Sequence, residues 1–158
     1  MGLSAAGAAA AALGWALLVP RLAAPEASSL ALGAAALLPP AAVLAAMILS
    51  QMLVRFATLA VDPTVGADGR ALLIGQRVIA NSVEQLAVFA PALLALAASG
   101  AASGAEMFAL GIVFALARLV FWAGYALHPL ARAPGMGATA LVCLGTLCWA
   151  GLGWWRAP

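Results

Sequence analysis

Polar residues are so sparse along this chain that they act as punctuation, cutting a nearly continuous apolar sequence into five segments of membrane-spanning length. A helix rising about 1.5 Å per residue needs roughly 20 residues to cross a hydrocarbon core of roughly 30 Å. Residues 3–19, rich in Ala and Leu, just meet that length and end at Pro20-Arg21. They lack the basic leading region of a signal peptide, so a membrane helix is predicted, although Ala23-Ala24-Pro25 offers the small residues of a cleavage site. After Glu26, Ser28 and Ser29, apolar sequence runs from Leu30 to about Ala60 and is interrupted by Pro39-Pro40, where a helix must kink or begin. One spanning helix is predicted over 32–58. Asp62-Pro63, Gly66 and Asp68-Gly69 then supply a loop over 61–72. The third span, 73–98, contains Pro91, a predicted kink, and Ser99-Gly100 to Ser103-Gly104 leads into a tight hairpin. A fourth span follows over 105–130, a loop at Ala131 to Gly137, and a fifth span over 137–155 that ends in Trp154-Trp155-Arg156, an aromatic anchor suited to the membrane interface.

Composition agrees with the pattern. Of 158 residues, 66% are hydrophobic and 8% charged, and the mean hydropathy of +1.12 lies far above that of soluble domains. The chain reads as an all-α integral membrane protein with almost nothing left for a soluble domain. A formal charge of +2, carried entirely by scattered Arg with no Lys, excludes a nucleic-acid partner. Arg55, Arg70, Arg77 and Arg132 collect on one side of a five-span topology and Arg21 and Arg156 on the other. The positive-inside bias then places the N-terminus in the cytoplasm.

Few side chains remain for chemistry. Arg77, Asn81 and Glu84 stand at i, i+4 and i+7, within roughly 60° of one another around a helix. Ionised groups at membrane depth cost a few kcal/mol and turn toward a bundle interior or a partner. The stripe is therefore either an internal ion pair, with Arg77 and Glu84 neutralising each other and Asn81 bonding a neighbouring helix, or the wall of a polar site. Arg118, Tyr125 and Arg132 are spaced by seven, which keeps them on one side if the helix runs that far, with Phe121 beside them. Cys143 and Cys148 point about 140° apart on one helix, so neither a disulfide nor a metal site is predicted, and both read as small buried apolar residues. His128 is the only histidine, which excludes a multi-His metal centre.

Arg77-x-x-x-Asn81-x-x-Glu84 on one span, with Ala117-Arg-Leu-Val-Phe-Trp-Ala-Gly-Tyr125 and then Arg132 on the next, resembles the MAPEG family, the membrane-associated proteins of eicosanoid and glutathione metabolism. The resemblance covers about residues 32–155. It implies a MAPEG-like four-helix membrane domain at 32–158, preceded by an additional N-terminal transmembrane helix and loop at 1–31. Family subunits form trimers with glutathione at their interfaces. By resemblance, Arg77, Asn81 and Glu84 belong to the glutathione pocket, Tyr125 helps hold the tripeptide, and Arg132 stabilises the thiolate. Arg55 is a looser match to a basic residue on the preceding span, and Arg118 matches a family arginine and is expected to be structural here. Gln85 and Phe121 stand where some members carry Tyr.

Chemistry supports the analogy. Glutathione has two carboxylates that suit Arg and an amine that suits Glu, and a guanidinium beside its thiol raises the nucleophilic thiolate fraction. The resemblance implies a glutathione-dependent transferase or peroxidase acting on lipophilic electrophiles, with glutathione as co-substrate and no metal. Its partners are membrane lipids, a lipophilic small molecule and, in a homotrimer, copies of itself. The Ala-rich composition, with Arg in place of Lys, points to a bacterial-type member in the inner (cytoplasmic) membrane. The alternative is a non-catalytic MAPEG-like protein that binds lipid or serves as an accessory subunit of a larger membrane complex. Residues 3–19 carry no ionisable group and are expected to span at the periphery, contributing nothing to the thiol site.

Overall fold

The apolar segments fold as helices packed side by side. The computed structural model describes residues 2–59, 69–128 and 130–156, with helices α1 (Gly2–Leu18), α2 (Ser29–Ala35), α3 (Leu38–Thr58), α4 (Arg70–Ser99), α5 (Gly104–Leu127) and α6 (Ala133–Arg156). Five stretches are long and apolar enough to cross a membrane: α1 with its following turn, α2 and α3 together, α4, α5 and α6. The result is an all-helical membrane bundle with one helix ahead of the other four spans. The turn residues Asp62, Pro63, Gly66 and Asp68, and Pro129, lie outside the described residues.

Among the boundaries that differ from the sequence reading, three have a local reason. The predicted helix at 32–58 begins at Ser29, where the Ser28 hydroxyl accepts from the Ala31 amide at 3.3 Å. It also breaks after Ala35 and restarts at Leu38. Pro39 and Pro40 fall in the first turn of α3, where helix amides have no intrahelical acceptor, so the prolines begin a helix and remove no bond. By the same logic Pro134 does not extend the preceding loop to Gly137; α6 starts at Ala133 with Pro134 in its first turn. Pro91 leaves α4 helical without interruption through its 30 residues.

α5 is the buried centre. Met107, Phe114 and Phe121 from α5 are each 2% exposed or less. Phe114 stacks on Phe89 of α4 with ring centroids 4.6 Å apart and planes at 15°. The α4–α5 hairpin is closed by Gly100 at φ 67°, a left-handed position natural to glycine. A reciprocal cap follows: the Glu106 amide donates to the Ser103 hydroxyl at 3.3 Å, and the Ser103 amide donates to the Glu106 carboxylate at 2.7 Å.

α1 is built into the bundle by an intimate seam with α6. A Cβ on Gly7 would lie 1.9 Å from the Pro134 carbonyl oxygen, and one on Gly137 would lie 2.0 Å from that of Ser4. Gly7 and Ala11, four apart and both buried, give α1 the small-residue stripe that lets helices approach closely in lipid. Farther along, Trp15 meets Trp149 edge-on at 5.9 Å and its indole donates to the Glu106 carbonyl at 3.3 Å. Trp154, read as an interfacial anchor, likewise donates to the Ala95 carbonyl at 3.0 Å and ties α6 to α4.

Gly7→Val should therefore destabilise the protein by about 1–3 kcal/mol, since the added carbon meets backbone. Thermal unfolding in detergent reads this as a lowered Tm. Gly145→Ala, with open space around the new carbon, should leave the Tm unchanged.

Candidate functional site

At the end of the bundle where α4 and α6 begin, Arg77, Asn81 and Glu84 of α4, Tyr125 of α5, Arg132 and Ser4 of α1 line one cleft of about 590 Å³. Ligand sites run to roughly 300–1,000 Å³. Two glycines shape it. A Cβ on Gly124 would meet the Ala131 carbonyl oxygen at 2.2 Å, and one on Gly135 would meet the Phe121 amide nitrogen at 2.4 Å. The turn from α5 to α6 thus folds back onto α5, bringing the Arg132 guanidinium to 4.7 Å from the centroid of the Tyr125 ring. A cation over an aromatic face is attracted by the ring quadrupole, so Tyr125 orients Arg132.

The α4 stripe does not act as an internal ion pair. Among the described residues no salt bridge joins Arg77 to Glu84. Instead the half-buried Asn81 donates its amide to Glu84 Oε2 at 3.5 Å, while its Oδ1 accepts from Arg118 Nη2 at 3.1 Å. Arg77, Glu84 and Arg132 are exposed in the cleft. Two guanidiniums, a carboxylate and an oriented amide suit a small ligand that carries both carboxylates and an ammonium group.

Behind the cleft, Arg118 is 1% exposed. Its Nε and Nη2 donate to the Ser82 hydroxyl at 3.2 and 3.0 Å, and its carbon lies 4.0 Å from the centroid of the Phe121 ring. The Ser82 hydroxyl donates in turn to the Val78 carbonyl at 2.7 Å, while Arg118 Nη1 has no partner among the described residues. Of the three residues spaced by seven, then, Tyr125 and Arg132 reach the cleft and Arg118 holds Asn81 from behind.

Arg55, on the last turn of α3, is not among the residues lining this cleft. Ser4 is, which corrects the expectation that the first helix stays clear of the site; an apolar helix gave no polar signal beyond that one hydroxyl. Cys143 is buried with Sγ 3.4 Å from Gln85 Oε1, as a small core residue should be, whereas Cys148 is exposed on the outer face of α6. His128 ends α5, its Nδ1 accepting from the Leu130 amide at 3.1 Å.

Removing the Ser82 hydroxyl takes the acceptor from Arg118 Nε and leaves Nη2 with Asn81 alone. Ser82→Ala should cost about 1–3 kcal/mol in thermal unfolding. Adding Arg118→Met should recover part of that loss, because no charge is then left unpaired. Additive losses in the double variant would contradict this account of the clamp.

The MAPEG family model matches residues 29–153, from the start of α2 to the last turns of α6. No curated protein matches the chain. The matched stretch carries every residue lining the cleft except Ser4 and leaves α1 outside. With its spans, its cleft and this match, the chain belongs to the MAPEG family, membrane proteins of eicosanoid and glutathione metabolism.

Proposed function

We propose that the protein is a membrane-bound, glutathione-dependent transferase or peroxidase acting on lipophilic electrophiles. The observation that supports this reading is the convergence of Arg77, Asn81, Glu84, Tyr125 and Arg132 on one cleft at the end of the bundle. In this reading Arg77 takes a glutathione carboxylate, Glu84 takes the ammonium, and Asn81, fixed by Arg118, orients both. Arg132 stands outside the spans, between α5 and α6, where a water-soluble thiol meets a co-substrate arriving through lipid. Its guanidinium stabilises the thiolate, which attacks the electrophile. The assembly we propose is a homotrimer in a bacterial inner membrane, which would let Arg55 face the cleft of a neighbouring subunit.

The test is glutathione titration of purified protein followed by ultraviolet thiolate absorbance, with turnover of a chloronitrobenzene. Arg132→Ala should abolish the thiolate signal and slow addition by about 30- to 1000-fold, the usual effect of losing one charge-stabilised contact of about 2–4 kcal/mol. Arg132→Lys should recover only part, since a point charge replaces a planar fork. An Arg132→Ala protein that folds, binds glutathione and reacts at the wild-type rate would leave Arg132 as an anchor to lipid headgroups and overturn the mechanism.

A further inference from the structure

A second cavity, of about 400 Å³, runs between α1 and α5 with the start of α6 as its floor. Gly7, Gly14 and Leu18 mark its course along α1, facing Val113 and Val120 of α5 and Pro134 of α6. Its lining contains no charged side chain and no polar one. From Gly7 to Leu18 the helix rises roughly 16 Å, about the depth of one leaflet of a hydrocarbon core. Spread over that length, the volume leaves a narrow track whose length and width suit an extended hydrocarbon chain. Leu17, Leu116 and Val120 on its rim are exposed, so a chain can enter sideways from the bilayer. The end at Gly7 and Pro134 adjoins the cleft: Ser4 lies one turn before Gly7, and Arg132 two residues before Pro134.

We infer that this groove is a subsite for a single unbranched alkyl or acyl chain, whose polar or reactive end is thereby presented at the cleft, and that α1 sets chain-length selectivity. As a selectivity device it rests on the transferase or peroxidase reading above; as a chain-binding site it does not. α1 lies outside the residues matched by the family model, so the groove is a property of this chain's own N-terminal helix.

Gly14 allows a clean test. A Cβ built there meets only Val113 Cγ2, at 3.9 Å, so Gly14→Phe points a large side chain into the groove without striking backbone. Gly151→Phe, facing open space elsewhere, is the control. Full-length protein in nanodiscs is labelled with a photoactivatable long-chain carboxylic acid, and the labelled residues are mapped. Saturable labelling confined to α1, α5 and the start of α6 is expected, falling about tenfold in Gly14→Phe and unchanged in Gly151→Phe. Glutathione-dependent turnover is measured in parallel with electrophiles whose alkyl chain grows from methyl to dodecyl. Wild-type kcat/KM should rise with chain length, and Gly14→Phe should flatten that rise by about tenfold through KM. Unsaturable labelling over all outer faces, the behaviour of annular lipid, or equal labelling in Gly14→Phe and wild type overturns the groove. Saturable, Gly14-dependent labelling with no turnover of any electrophile keeps the groove and refutes the transferase or peroxidase reading instead.

Discussion

A guanidinium shut away from water inside a membrane bundle must be satisfied by its neighbours, and Arg118 finds its acceptors on only one side, at Asn81 and Ser82 of α4. That demand fixes the rotation of α4. Turning the helix by a single residue, about 100°, would carry both acceptors away and leave a buried charge with only an aromatic face beneath it. The same rotation decides which α4 residues line the cleft, because Arg77 and Glu84 flank Asn81 on one stripe. Phe121 completes the coupling: it lies under the Arg118 guanidinium and also forms part of the cleft wall. The charge buried in the core and the polar groups exposed in the cleft are therefore held in one register.

Residues whose roles depend on helical phase alone were legible from sequence. Arg77, Asn81 and Glu84 share a face because i, i+4 and i+7 must, and five apolar stretches of spanning length gave five spans. Depth was not legible in the same way. Arg118 and Tyr125 share a side of α5, but two helical turns separate a sealed core position from the edge of a cleft, and seven-residue spacing carries no information about that difference. Ser82 carried no visible signal, since a lone small hydroxyl in a membrane helix usually bonds its own backbone, as this one also does to Val78. Arg55 matched only loosely, and one chain in isolation gives it no place at the cleft. Two further signals in the sequence bear on the helix boundaries. Ser103-Gly-Ala-Glu106 has the spacing of a capping box, which assigns that carboxylate to a helix start. Pro134, inside the loop predicted over Ala131 to Gly137, stands one residue into an apolar run and suits a first turn.

The first helix shows how an apolar segment without ionisable groups can still shape a polar site. Attraction between helices in lipid comes from close packing, so the tightest contacts of α1 lie where side chains are smallest. Those contacts, Gly7 on Pro134 and Ser4 on Gly137, fall at the start of α6, within five residues of Arg132. α1 is thus held most firmly where it borders the cleft. Toward its far end, Gly14 stands off from α5, with Val113 the nearest neighbour to a side chain there. A helix packed most closely on α6 at Gly7, and held to α5 by the Trp15 hydrogen bond, closes one side of the polar cleft and leaves an apolar slot beside it. Both follow from where glycine and alanine sit in a sequence whose hydropathy alone is featureless.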